Sequence, residues 1–163
     1  MSDPGASLTG RDLEAMIADV RSGRPGHVTR DINSRFIEAF RAHGGVVPGE
    51  LSRVPLILVT VIGAKSGRAR TVPLAYVEVE GRLFVIASTG GAKENPAWFN
   101  SIVANPRVEV EIRADTYRAI AVPLPDGERD RIFSIVSGQT PGFADYQSRT
   151  TRKIPVVELR RDA

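Results

Sequence analysis

Residues 54–88 read VPLILVTVI GAKSGRAR TVPLAYVEVE G RLFVIAS, and the order of these blocks decides the fold class. Val54 to Ile62 is apolar and β-branched, which predicts a strand. Gly63 to Gly67 turns the chain, and Thr71 to Glu80 returns it as a second strand. Glu80-Gly81 makes a tight turn into a third strand, Arg82 to Ser88. Parallel neighbours need a crossover of about a dozen residues or more, normally a helix, and none separates these three strands. Antiparallel pairing follows.

Downstream, Asn95-Pro96 reads as the cap and first residue of a short helix that ends at Asn105-Pro106. Val108 to Ile112 alternates apolar and acidic residues, as a half-buried strand does, and Thr116 to Leu124 pairs with it across Ala114-Asp115. Asp126 to Ser137 is predicted as a helix with Ile132, Phe133 and Val136 inward. A short helix over Phe143 to Thr150 and a closing strand over Ile154 to Leu159 complete the chain. Upstream, Thr9-Gly10-Arg11-Asp12 has the form of a capping box, opening a helix with Leu13, Met16, Ile17 and Val20 at helical spacing. That helix is expected to stop near Ser22-Gly23, before a break at Arg24-Pro25-Gly26. A second helix, Asp31 to about Ala42, carries Ile32, Phe36, Ile37 and Phe40 on one face and ends at His43-Gly44-Gly45. Six strands joined mostly by short turns predict an α+β, mainly β, antiparallel barrel, closed or split, with flanking helices. Residues 1–50 are then an N-terminal helical segment and residues 51–163 the barrel domain.

Composition narrows the chemistry. A chain of 163 residues fits one domain, and a 42% hydrophobic share supports a core. The absence of cysteine excludes a disulfide framework, a thiolate metal site and a cysteine nucleophile. With only His27 and His43, a histidine metal centre or triad has little to build on, and no metal is expected. The start lacks an apolar signal core and no stretch has the length of a membrane span, so a cytoplasmic location without stable membrane insertion is expected. A net charge of +3 and a pI near 9.7 favour anionic partners. The basic residues, 19 Arg and 3 Lys, are scattered without an aromatic-rich strand or a helix-turn-helix pattern, which argues against nucleic acid. The amphipathic stretch from Leu8 to Val20 has mixed charge, so it is expected to cover the barrel or to pair with a second copy in a homodimer.

Four segments can carry chemistry. Gly63-Ala64-Lys65-Ser66-Gly67-Arg68-Ala69-Arg70-Thr71 combines glycines with cations and hydroxyls, as an anion cradle would. It lacks Walker spacing, and alone it also reads as a solvated hairpin turn. Ser88-Thr89-Gly90-Gly91-Ala92-Lys93 precedes a helix and could offer amides to an anion, or simply connect two elements. Trp98, in the first turn of that helix, suits either the core or the wall of a flat-ring site. Phe143 and Tyr146 share a helical face beside polar groups, as a packing lid or a substrate wall.

The ordered set Gly63-x-Lys65-Ser66-Gly67-x-x-Arg70, Pro73-Leu74, Ser88-x-Gly90-Gly91-Ala92, Asn95-Pro96-x-Trp98 and Ala104-Asn105-Pro106 resembles the deazaflavin-dependent nitroreductase family of actinobacteria. The likeness runs from Pro55 to Leu159, and Asp145-Tyr146-Gln147 through Thr150-Thr151-Arg152 to Ile154-Pro155-Val156-Val157 also looks like that family's C-terminus. The resemblance implies a split β-barrel oxidoreductase using coenzyme F420, an 8-hydroxy-5-deazaflavin with a phosphate and an oligoglutamate tail; FMN fits less well. It implies that Lys65, Ser66, Gly67 and Arg70 hold the phosphate and tail, and that Pro73 and Leu74 line the ring. Ser88, Gly90, Gly91, Ala92 and Trp98 would flank phosphate and deazaflavin. Tyr146, with Ser88, is the implied catalytic group, while Phe143, Thr140 and Ala75 stand on the substrate side. The acceptor would be a lipophilic conjugated molecule: a quinone, an enone or a nitroaromatic. Departures from the family pattern fall at Ala64, Thr89 and Ser101, with Arg68, Arg70 and Lys93 as candidate replacement cations. Two other functions fit the same groove: binding of a lipid or other apolar ligand, and cofactor-free biosynthetic catalysis with Tyr146 and Ser88.

Overall fold

The computed structural model describes residues 8–21 and 27–162. Two helices, α1 (Gly10–Arg21) and α2 (His27–Ala42), precede three strands, β1 (Leu56–Ile62), β2 (Ala69–Val79) and β3 (Arg82–Ile86). A single 3-10 turn (Thr89–Gly91) leads to α3 (Ala97–Ala104), β4 (Arg107–Ile112) and β5 (Asp115–Pro123). Helices α4 (Asp126–Gln139) and α5 (Gly142–Ser148) then lead to β6 (Val156–Arg161). All strand pairs are antiparallel, and the order β1-β2-β3-β6-β5-β4 closes on itself through β1 and β4. The fold is the six-stranded barrel that the hairpin run predicts.

The alternation of each strand sorts its side chains into two compartments. Ile57, Val59 and Val61 of β1 point into the barrel, with Val108, Val110 and Ile112 of β4, Ala119 and Ala121 of β5, and Val157 and Leu159 of β6. Trp98 and Ile102 of α3 join this cluster. A second core lies outside the barrel, where Ile132, Phe133 and Val136 of α4 cover Val79, Phe84, Ile86 and Val156. A third joins Leu8 to Ile32, Phe36 and Ala39 of α2, with Val47 and Leu51. Each such side chain contributes about 1.5–3 kcal/mol when fully buried, so closure of the barrel is dominated by these three clusters.

Several boundaries differ from the sequence expectation for identifiable reasons. Helix α2 begins at His27 rather than Asp31, because nothing between Gly26 and Asp31 breaks a helix. Strand β1 starts at Leu56, since Pro55 has no amide for the ladder; its carbonyl still accepts from the Tyr76 amide at 3.0 Å. Strand β3 ends at Ile86, two residues early, because the backbone turns into the left-handed region at Thr89 (φ 45°) and Gly90 (φ 62°). The capping box at α1 forms as written, with the Thr9 amide donating to Asp12 Oδ2 at 2.8 Å and the Asp12 amide to Thr9 Oγ1 at 3.3 Å. Ser22, Gly23 and the Arg24-Pro25-Gly26 break lie outside the described residues, as do the side chains of Ile17 and Val20.

Candidate functional site

Strand register gathers the chemistry-bearing segments at one end of the barrel. Strand β1 leaves at Ile62, paired with Ala69, so the basic turn sits at that end. Strand β3 runs the same way as β1 and exits at Ile86 beside Val156, the first residue of β6. The loop 87–96 and the segment 149–155 therefore meet there. Strand β4 also starts at this end, since Glu109 opposes Thr60. The Glu80-Gly81 and Arg113-Ala114 turns occupy the opposite end.

The basic turn is built by its own backbone. The Gly67 amide donates to Gly63 O at 2.9 Å, the Gly63 amide to Arg68 O at 2.8 Å, and the Arg68 amide to Ser66 Oγ at 3.2 Å. This closure leaves the side chains of Lys65, Arg68 and Arg70 exposed, with no acid partner among the described residues. Ser66 keeps its hydroxyl proton for a ligand while its lone pair holds the turn. Along β2 the side chains then alternate. Val72, Leu74 and Tyr76 pack on the barrel interior, whereas Thr71, Pro73 and Ala75 face outward, with Thr71 Oγ1 2.8 Å from Thr60 Oγ1. Pro73 and Leu74 thus point to opposite faces of β2, and Pro73 shares its face with Thr71 and Ala75.

The glycine loop differs from its sequence reading. The Gly91 amide donates to Ser88 O at 2.9 Å and the Ala92 amide to Thr89 O at 3.1 Å, so these two amides serve the loop itself. Gly90, Gly91 and Ala92 are buried, and both α1 and α5 lie against the 3-10 turn. Gly91 has φ 85°, and a Cβ there would stand 2.7 Å from Tyr146 O, so glycine is what lets α5 approach. Helix α3 starts one residue later than expected, with Pro96 as its cap and no side-chain cap. Asn95 instead accepts from Arg152 through Oδ1 at 2.8 Å.

Arg152 stands in the C-terminal motif noted in the sequence, but the sequence reading gives it no role. Its guanidinium donates to Ala87 O (3.1 Å), Ser88 O (2.8 Å), Ala92 O (2.9 Å), Asn95 Oδ1 and Thr89 Oγ1 (3.3 Å), which uses all five of its N–H groups. Among the described residues it makes no ion pair, and burial lowers its pKa from the ordinary guanidinium value, though it stays charged. These partners lie 57 to 65 residues away along the chain, so no local spacing could have marked them.

The remaining expected site residues are distributed as follows. Trp98 is 7% exposed and belongs to the barrel core, with Phe99 edge-on at 6.4 Å between centroids. Of the two alternatives open in the sequence, the indole takes the core one and ties α3 to the barrel interior. Tyr146 and Phe143 are half-buried and edge-on at 6.1 Å on α5, packed on the second core. Thr140 caps α4 in the open, its carbonyl accepting from the Phe143 amide at 3.2 Å. Ser88 is half-buried at the start of the 3-10 turn. Ser101 is buried and bonds back to Ala97 O at 3.1 Å inside α3. Among the described residues no cluster of His, Asp or Glu could hold a metal, and no helix is long and apolar enough to cross a membrane.

A model of the F420H2-dependent quinone reductase family matches residues 33–160. The chain belongs to this family. F420H2-dependent quinone reductases are oxidoreductases whose coenzyme is F420. A reviewed relative, an F420H2-dependent quinone reductase of Mycobacterium tuberculosis H37Rv, is 31% identical over 136 residues, covering 77% of this chain and 91% of its own. Among solved structures, an F420H2-dependent reductase named FDR-A is 36% identical, with a TM-score of 0.59 over 65% of this chain and 94% of that one. Another, described as a domain-swapped dimer, is 34% identical, with a TM-score of 0.61 over 81% of this chain and 96% of that one. The family match begins inside α2, so α1 lies outside it.

Proposed function

We propose that this chain reduces a lipophilic conjugated acceptor, with quinones first and enones or nitroaromatics next, at the expense of reduced F420 bound across the basic end of the barrel. One observation carries the reading within the family: Lys65, Arg68 and Arg70 are exposed on a hydrogen-bonded turn and have no acid partner among the described residues. A coenzyme with a phosphate and an oligoglutamate tail needs several cations held ready, and a charge-assisted bond contributes about 1.5–3 kcal/mol. Lys65, Ser66, Gly67 and Arg70 hold the tail and phosphate in this reading, while Pro73 and Ala75 offer the apolar outer face of β2 to the ring. The residues present fit the anionic portion of the coenzyme well.

When bound, the reduced deazaflavin supplies a hydride, and the acceptor takes up one proton to finish as a hydroquinone or its analogue. The protein's work is placement, which explains a site without an acid–base pair. Tyr146, half-buried on α5 against the loop, orients the acceptor or passes it the proton from its phenol. Ser88 stands at the loop's start, within the same end. A second reading, an apolar-ligand binder without coenzyme, has one observation behind it: the glycine loop is buried beneath α1 and α5.

Titrating oxidised F420 with the purified chain and following its fluorescence separates the two. Quenching with saturation supports the reductase, and reoxidation of the reduced coenzyme with a panel of quinones, enones and nitroaromatics then ranks the acceptors. A flat titration would remove the coenzyme role. Light scattering of the full chain tests for the homodimer, self-association being described for one relative.

A further inference from the structure

Arg152 sits on one side of the loop 87–95 and draws backbone carbonyls toward itself. In a planar trans peptide the carbonyl of one residue and the amide of the next point in opposite directions, and no cis peptide occurs among the described residues. Because Ala87 O, Ser88 O and Ala92 O all point at the guanidinium, the amides of Ser88, Thr89 and Lys93 point the other way. None of these three amides has a hydrogen-bond partner among the described residues, whereas those of Ala87, Gly91 and Ala92 do. The guanidinium behind them has no neutralising carboxylate among the described residues. Amides without partners, turned away from a positive charge that has no carboxylate among the described residues, form an electrostatic setting for an anion.

We infer that Arg152 is a positioning residue for coenzyme binding, which orients the amides of Ser88, Thr89 and Lys93 as the loop's anion-receiving face. This rests on the reading of the chain as an F420-dependent enzyme, and it replaces the Gly91 and Ala92 amides, which the loop uses internally. Arg152 does not touch the anion; it acts through the peptide planes that it turns. The same clasp fixes Thr89 Oγ1 and Asn95 Oδ1, so the side chain at 89 is tied to the guanidinium side, away from the face where the amides emerge. A lysine at 152 would keep the charge but could not reach five acceptors from one ammonium.

The test compares wild type, Arg152→Ala and Arg152→Lys by F420 fluorescence titration and by hydrogen exchange. Both substitutions are expected to weaken F420 binding, Arg152→Ala by about tenfold or more and Arg152→Lys by less. Exchange should accelerate within residues 88–95 while β1, β4 and β5 keep their protection, which separates the effect from unfolding. Added methylguanidinium should restore part of the affinity to Arg152→Ala, a result that a general loss of packing would not give. Equal affinity in wild type and both variants overturns the proposal alone. Exchange in 88–95 that is no faster in either variant does the same. A wild type that fails to quench F420 overturns the functional reading together with this one.

Discussion

The two ends of the barrel treat their charges differently. At the end with the Glu80-Gly81 and Arg113-Ala114 turns, cations find acids. Arg131 grips Glu80 with two bonds of 2.7 and 3.0 Å, Arg41 grips Glu111 at 3.0 and 2.9 Å, and Arg113 reaches Glu78 at 3.5 Å. Arg82 bridges Glu158 at 2.9 Å and Glu128 at 2.6 Å. A shallow depression between Gly44-Gly45 and the β4–β5 turn lies here too, but its Arg41 and Glu111 neutralise each other. At the other end, Lys65, Arg68, Arg70 and Lys93 have no acid partner among the described residues. Surface pairs contribute about 0–1 kcal/mol each, so neither arrangement is required by stability. In the function proposed above, the paired end is a closed surface and the cations of the hydrogen-bonded turn are those that meet an external anion.

The comparison is sharpened most by Lys65→Ala with Arg70→Ala. If each makes one charge-assisted contact, F420 affinity falls about 100-fold while the melting temperature stays within a degree or two, since nothing in the fold leans on these side chains. A large loss of melting temperature in that variant would erase the distinction between the ends. The reverse pattern is expected for Glu158→Gln. Glu158 is 6% exposed and held by Arg82 and Arg160, so losing it costs about 2–3 kcal/mol, discounted from a fully buried pair because Arg82 is partly exposed, and F420 affinity is unchanged.

The same carboxylate predicts a pH dependence. The hydrogen bond from Arg82, followed by that from Arg160, lowers the Glu158 pKa in the folded state. Its contribution is therefore complete above the unfolded carboxylate value and is lost as pH falls through and below about 4. Thermal melts from pH 6 to pH 3 should show wild type losing its advantage over Glu158→Gln across that acid window.

Gly91→Ala should cost about 1–3 kcal/mol, because φ 85° disfavours any side chain and the new methyl would meet Tyr146 O. Fluorescence titration should show weaker F420 binding in that variant as α5 and the loop separate. The smallest effect is expected for Glu80→Gln, an exposed pair with Arg131, whose loss should move the melting temperature by no more than about 1–2 °C. Denaturation monitored by circular dichroism checks both.

Much of this was legible before any fold was drawn. The hairpin run of residues 54–88, the capping box at Thr9–Asp12 and the helix of Asp126 onward depend on residues a few positions apart, so periodicity and turn chemistry expose them. The Gly63–Arg70 turn was recognisable for the same reason. Trp98 was ambiguous in sequence because an aromatic at the start of a helix can face either way, and packing sent it inward. Asn95 looked like a helix cap, and a competing donor from β6's approach took its oxygen.

Strand alternation and turn chemistry determined the barrel class and its hairpins, and the ordered motif set from Gly63 to Pro106 carried the resemblance to the family. Only the folded chain decided that Leu74 faces the interior, that the Gly91 and Ala92 amides are engaged, and that Arg152 holds the loop from behind. The reason is physical. Local order is written in neighbours three or four residues apart, whereas a guanidinium that clasps carbonyls some 60 residues distant has partners only after strands β3 and β6 have met.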